Sequence, residues 1–321
     1  GHVNMYIVGS VMAAAILFRL IADGTIAAVF SRRGLLTWGF LALAAAMLLN
    51  GIFSAAWEPL DLAWGLFMAV GLLLAYFIVL AMSDKTENIV GYLLRVCLIV
   101  GLMICAEEWI LMGRLAADGM LLELDEAGKW TGGFVRDYQV LGWGVSTYAA
   151  GMLAILIAPT MALAYSNRRG VWYYLAAVVM FLTIILLNAR TAMLMGGIIL
   201  LACMIICCFG TNRKQNRIVF AAIVAAALVC VAGIWAVMGT NDFFGFIAEM
   251  LRFDQGDNHR FERWANGWKD FLSAPIFGVG FMDGAATDPS MYSNMYHNIF
   301  VQLIGALGVF GLLAFLFHII Q

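Results

Sequence analysis

Charge is scarce in this chain. Of 321 residues, 12% are Asp, Glu, Lys or Arg, against roughly a quarter in a soluble domain. With 64% hydrophobic residues and a mean hydropathy of +0.93, an ordinary water-soluble fold is excluded. Histidine is sparse, with four in all. The six cysteines (Cys97, Cys105, Cys203, Cys207, Cys208 and Cys230) all fall inside apolar runs. None has Cys-x-x-Cys spacing with histidines nearby, so neither a disulfide framework nor a metal site is implied, and the thiols read as packing groups. Also missing are the ten-residue alternation of a membrane barrel, internal repeats, low-complexity tracts and a signal-peptide pattern. The net charge of −2 says nothing of partners; its distribution does.

What the chain has instead is apolar runs of about twenty residues, the length that crosses a hydrocarbon core as helix. The expected fold is all-α, a polytopic transmembrane helical bundle of about nine spans forming one domain over 1–321. The runs lie near 3–22, 35–56, 62–82, 89–112, 142–165, 171–188, 191–209, 218–238 and 297–320. In the first, Arg19 and Asp23 stand at i,i+4 spacing, placed to pair with each other or to snorkel. Gly1-His2 reads as a remnant of cloning. The ending at Gln321, directly on an apolar run without a basic flank, is the pattern expected where spans are missing.

Short basic loops set the expected orientation. Ser31-Arg32-Arg33, Ser166-Asn167-Arg168-Arg169 and Thr211–Arg217 carry the positive charge of cytoplasmic loops, with Lys85 on the same face. Trp57-Glu58-Pro59-Leu60-Asp61 is acidic. The long loops 113–141 and 239–296 are therefore expected outside. In the second, Phe243, Ile247, Met250 and Leu251 recur with helical period over 242–253. A further helix comes next, with Phe261, Trp264, Trp268 and Phe271 on one face and Arg260 and Arg263 on another. Pro275, Gly278 and Gly280 stop it. The loop is thus expected to hold two interfacial helices and a return into the membrane.

Polar chemistry collects at few places. Arg190 lies in Leu186-Leu187-Asn188-Ala189-Arg190-Thr191, which joins two apolar runs with almost no loop. Asn188 is expected to cap the helix that begins after it. An arginine in a first turn opposes the helix dipole; a bound anion removes the conflict, because free N–H groups and a guanidinium both take phosphate. A plainer alternative is an arginine snorkelling to lipid headgroups. Arg260 and Arg263, on one face, are suited to clamp a diphosphate or to rest on anionic lipid. His297 opens the last apolar run, between Tyr296 and Asn298. A helix start disfavours the imidazolium and keeps a neutral base for a hydroxyl, although a purely structural histidine is the alternative. Glu107 and Glu108 are placed to orient a base, to bind sugar hydroxyls, or to form a plain ion pair with Arg114 or a neighbouring helix. The mixed charges of 118–137 read as a solvated surface, and Asp137-Tyr138-Gln139 lies near the membrane return.

Together these pieces resemble the O-antigen ligase/polymerase superfamily of bacterial membrane glycosyltransferases. The resemblance rests on Asn188-Ala189-Arg190, on Arg260-Phe261-Glu262-Arg263-Trp264, and on Pro275-Ile276-Phe277-Gly278-Val279-Gly280. It ends with His297-Asn298 opening a run with Gly305, Gly308 and Gly311, and so covers roughly 180–316, including the outer loop 239–296. It implies a GT-C-like fold and transfer from an undecaprenyl-diphosphate-linked glycan at the outer face of the cytoplasmic (inner) membrane, inverting and without metal or cofactor. Arg190 and Arg260 would bind the donor diphosphate and His297 would activate the acceptor hydroxyl. Arg263 has no firm counterpart, and Asn298, Tyr296, Glu107 and Glu108 would support. The implied partners are a lipid-linked oligosaccharide donor, membrane lipids, and a glycan, lipid A-core or protein acceptor, with no nucleic acid. The motifs do not separate ligase from polymerase. A flippase or other transporter of lipid-linked oligosaccharides is the rival reading. It calls for ionisable groups near the membrane midplane, where Arg95 is the clearest deep charge.

Overall fold

Long apolar runs with few breakers leave the backbone one way to satisfy its polar groups inside a membrane, and that is helix. The computed structural model describes residues 14–15, 18–19, 21–24, 35–54, 59–85, 88–124, 130–134, 140–141, 144–167, 170–210, 212–239, 244–245, 260–280, 296 and 298–320. Among them are nine helices. These are α1 (Leu35–Phe53), α2 (Pro59–Lys85), α3 (Ile89–Ala117), α4 (Ser146–Ser166), α5 (Gly170–Leu186), α6 (Arg190–Cys207), α7 (Arg213–Met238), α8 (Arg260–Ser273) and α9 (Ile299–Ile320). Among the described residues, five segments are long and apolar enough to cross a membrane: α3, α4, α6, α9 and Arg213–Ala236 of α7. Trp38–Phe53, Gly65–Leu80 and Gly170–Leu186 are shorter apolar stretches. Most of the apolar run near 3–22 and of the helix expected over 242–253 lies outside the described residues.

The helical class expected is present, with one addition. Loop 113–141 and its continuation carry two small antiparallel pairs: β1 (Leu122–Leu124) with β2 (Trp130–Phe134), and β3 (Val140–Leu141) with β4 (Gly144–Val145). The loop's charges hid a strand-forming content, with aromatic and β-branched residues in Trp130-Thr131-Gly132-Gly133-Phe134. Pairing satisfies backbone groups that no helix takes up.

The helices fall into two compact units, 88–255 (with 1–5) and 6–87 with 256–321. In the first, α4 is the central element, packed by α3, α5 and α6. Ala149, Ala150, Leu153, Ala154, Ile157, Tyr174, Ala177 and Met180 form its core. Small residues let the helix backbones approach, as membrane packing favours. At Gly196 an added Cβ would sit 3.1 Å from Ile184. Trp109 of α3 donates its indole N–H to Thr183 Oγ1 of α5 at 2.9 Å, which fixes those helices in register.

In the second unit α9 packs against α1 and α8. It is not a continuous helix: Gly308 takes φ 66 and ψ −167. The segment 275–280 lies in the gap. Val279 and Gly280 donate their N–H groups to the Gly305 and Ala306 carbonyls at 3.0 and 3.1 Å. In return Val309 and Phe310 donate to the Pro275 and Ile276 carbonyls at 2.9 and 3.2 Å. Asn50 of α1 closes the arrangement, donating to the Phe277 and Ala306 carbonyls, each at 2.6 Å. The Pro-x-x-Gly-x-Gly motif therefore does more than stop α8. It is stitched into a broken helix, where each backbone group left unpaired would cost roughly 1–3 kcal/mol.

Candidate functional site

Arg190 is the first residue of α6 and is half-buried. The turn before it departs from expectation. Ala189 is the N-cap, with φ −100 and ψ 91, and no side chain caps the helix. Asn188 instead adopts φ 50 and is buried; asparagine visits this left-handed region more easily than most residues. The reversal between α5 and α6 needs that conformation, so Asn188 shapes the turn rather than capping α6. Its amide nitrogen is buried without a hydrogen-bond partner. The N-cap side chain thus makes no bond to the first turn of α6, whose first residue is Arg190.

Glu108, on α3 next to Trp109, is fully buried, and neither carboxylate oxygen has a hydrogen-bond partner. The expected ion pair with Arg114 or a neighbouring helix is therefore not made by Glu108. An ionisable group buried without a partner in a membrane helix is costly, and such groups are usually functional. Glu107 beside it is exposed. Arg95, the deepest charge in the sequence reading, is exposed on α3.

The second unit carries the remaining candidates. Arg260 is exposed and Arg263 half-buried, both in the first turns of α8. The aromatic residues pair along the helix, Phe261 edge-on to Trp264 at 5.2 Å and Trp268 against Phe271 at 5.2 Å. Phe261 and Trp268 remain 66% and 53% exposed, as an interfacial face requires. The buried face of α8 is a different one, formed by Gly267 and Asp270.

Asp270 was not legible as a site residue. Its Oδ2 accepts the Tyr296 hydroxyl proton at 2.6 Å, and both side chains are buried. The Tyr296 ring lies where side chains on Gly267 and Gly305 would fall, with added Cβ atoms only 2.9 and 2.8 Å from it. Two glycines on two helices thus make the slot for one tyrosine. The backbone N–H of Tyr296 donates to Gln302 Oε1 at 3.1 Å. Asn298 caps α9, its Oδ1 accepting from Phe300 N at 2.9 Å and Val301 N at 3.3 Å. Both neighbours of position 297 are therefore tied down. His297 itself lies outside the described residues, as do Asp137, Tyr138 and Gln139.

Burial pushes the Asp270 carboxyl above its ordinary range, partly offset by the Tyr296 hydrogen bond and by Lys269. Burial and the adjoining Asp270 likewise push the Tyr296 hydroxyl upward. The folded protein then holds a proton on Asp270 more readily than the unfolded chain does. Its contribution to stability is full below the ordinary carboxylate pKa, about 3.9, and is lost as pH rises through the raised value. Asp270→Asn keeps an acceptor for Tyr296 and removes the titration. Thermal unfolding should therefore show the variant gaining on the native protein as pH rises from 4.5 to 8, and a constant difference would refute the buried carboxylate.

The two units define a helical membrane protein that places guanidinium groups at helix starts and buried hydrogen-bonded groups around the entry to its last helix. A family model described as O-antigen ligase matches residues 154–316, just over half of the chain. The chain belongs to the O-antigen ligase family. It is accordingly a multi-pass membrane protein with glycosyltransferase activity of the O-antigen ligase type, working on lipid-linked glycans and their acceptors. No curated protein and no solved structure gives a match.

Proposed function

We propose that the protein transfers a glycan from an undecaprenyl-diphosphate-linked donor to an acceptor hydroxyl at the outer face of the bacterial inner membrane. The domain is a GT-C-like bundle of about nine spans over 1–321, with the transfer core in 180–316. The chemistry is a single displacement with inversion. The acceptor oxygen forms a bond to the anomeric carbon, the bond from that carbon to the diphosphate breaks, and undecaprenyl diphosphate leaves. The acceptor proton goes to the His297 imidazole. Arg190 and Arg260 hold the diphosphate and neutralise the charge it gains, so the step needs no metal. Arg263 assists from the same face as Arg260. Tyr296 and Asn298 hold the chain on either side of His297, while Glu107 and Glu108 serve the sugar end.

One observation carries this reading most: within the family match, the helix bearing Arg260 and the residues flanking His297 are joined by the buried Asp270–Tyr296 bond. The decisive test is incubation of the purified protein with a lipid-linked oligosaccharide and candidate acceptors. A ladder of products means polymerase and a single addition means ligase. Vesicle translocation without transfer would overturn the enzyme reading in favour of a flippase. The arginines give a separate expectation. Arg190→Ala and Arg260→Ala should each weaken donor binding about tenfold or more, the worth of a charged hydrogen bond, as read by equilibrium binding of lipid diphosphate. Unchanged binding would remove that residue from the diphosphate site.

A further inference from the structure

Residues 138–241 contain no Asp or Glu, yet hold six Arg and Lys. One is Arg190. The other five (Arg168, Arg169, Arg213, Lys214 and Arg217) lie in the α4–α5 connection or in the first turns of α7. Within that stretch no carboxylate stands beside them.

These loops are held, not loose. Asn212 donates its side-chain amide to the Asn167 carbonyl at 3.0 Å, and Asn216 donates to the Cys207 carbonyl at 2.7 Å. Gly170, the first residue of α5, is buried with no room for a side chain against the Ala164 carbonyl. The starts of α5 and α7 are thereby brought to the same end of the unit, and both helix dipoles present their positive ends there. No side chain caps α7. Beside its first turn is an open cavity of about 780 Å³. Asn212, Arg213, Lys214 and Gln215 line its polar side, and Val171, Ile218 and Val219 its apolar side.

The cavity is amphipathic. Arg213 and Lys214 are exposed, and neighbouring apolar side chains are exposed too: Trp172 at 70%, Phe209 at 65% and Ile218 at 62%. A soluble phosphate would use the cationic side and leave the apolar wall wet. A zwitterionic lipid would bring its own ammonium to a site already rich in cations. The ligand that matches both halves has a net negative phosphate head and a hydrocarbon tail. Basic pockets between membrane helices are a known physical means of retaining anionic headgroups.

We propose that this cavity is a binding site for an anionic phospholipid of the surrounding bilayer. The phosphate sits over Arg213, Lys214 and the uncapped start of α7, and an acyl chain runs along Val171, Ile218 and Val219. The site is independent of the glycan-transfer residues, and none of its residues belongs to the proposed transfer machinery.

The test is native mass spectrometry of the full chain, delipidated in neutral detergent and titrated separately with phosphatidylglycerol and phosphatidylethanolamine. The native protein should retain one phosphatidylglycerol at concentrations where phosphatidylethanolamine is not retained, and added salt should weaken that binding. Arg213→Gln with Lys214→Gln should weaken it about thirtyfold, the worth of two surface charges. Gln215→Glu, which removes no cation but brings in an acid, should weaken it too. Equal retention of the two lipids would overturn the proposal, as would full retention in both variants. Competition by glycerol phosphate at the lipid's own affinity would also overturn it, since that would make the cavity an ion site without a tail groove. Circular dichroism of the two variants separates loss of the site from loss of the fold.

Discussion

His297→Ala is expected to leave a folded protein that binds lipid-linked donor as before but transfers glycan about 10²–10⁴-fold more slowly, the range over which a positioned base acts. An acceptor hydroxyl is a poor nucleophile until its proton is leaving. On the proposed reading the imidazole takes that proton in its neutral form, so native transfer should fall as pH drops far enough to protonate it. In the variant that limb should disappear, because nothing at the position titrates. The two readouts exclude different errors. A misfolded variant would lose donor binding as well as transfer. A merely structural histidine would lose rate but keep the acidic limb. Full activity with an unchanged pH profile would sink the base assignment, while leaving the arginine assignments to be judged by donor binding. The residues on either side of position 297 are held by their own bonds. Tyr296 is already held by Asp270 and Gln302, and Asn298 already caps α9.

Most helices were legible because their cause is local. A run such as 89–112 is apolar over the thickness of a bilayer, and α3 occupies Ile89–Ala117. Helix α8 was legible for the same reason: its aromatic residues recur with helical period, and the helix spans Arg260–Ser273. The features that the sequence could not disclose depend on partners far along the chain. Asp270 looks like one more surface acid on an amphipathic helix, and its burial comes from Tyr296, 26 residues later. Gly267, three residues before it, was the available hint, because a glycine on a helix face marks something packed closely there. Asn50 sits in an apolar run with nothing to say that it serves two carbonyls more than 220 residues away. Asn188 shows a subtler limit. Asparagine is favoured both as an N-cap and in a left-handed turn, and composition alone cannot choose between them. The turn won because a reversal this short needs a positive φ before α6 can begin.

The other large effect is expected at Gly278, where Gly278→Ala should destroy the folded second unit rather than tune it. Gly278 has φ 76, and a Cβ there would fall on the carbonyl of Ala306. Its counterpart Gly308 has φ 66 and faces the carbonyl of Ile276 in the same way. The obstructing atoms are backbone, so no rotamer change relieves them. Relief requires the 275–280 segment to withdraw from α9, and withdrawal separates Val279, Gly280, Val309 and Phe310 from their acceptors. It also takes Phe277 from Asn50. The left-handed conformation alone costs about 1–2 kcal/mol for alanine, and each backbone group left without a partner in an apolar surround adds roughly 1–3 kcal/mol. That sum is comparable to the whole stability of many domains, about 5–15 kcal/mol. Gly71→Ala is the control: Gly71 lies within α2, and an added Cβ meets nothing within 4 Å. It should be neutral or slightly stabilising, since alanine is the better helix former by about 1 kcal/mol. Detergent extraction, size-exclusion profile and thermal unfolding of the two variants make the comparison. If Gly278→Ala is extracted and melts like Gly71→Ala, the close backbone contact between the motif and α9 is wrong. If it is lost while Gly71→Ala survives, the Pro-x-x-Gly-x-Gly motif is conformational in purpose, and its glycines are required by the packing of two chain segments rather than by the substrate.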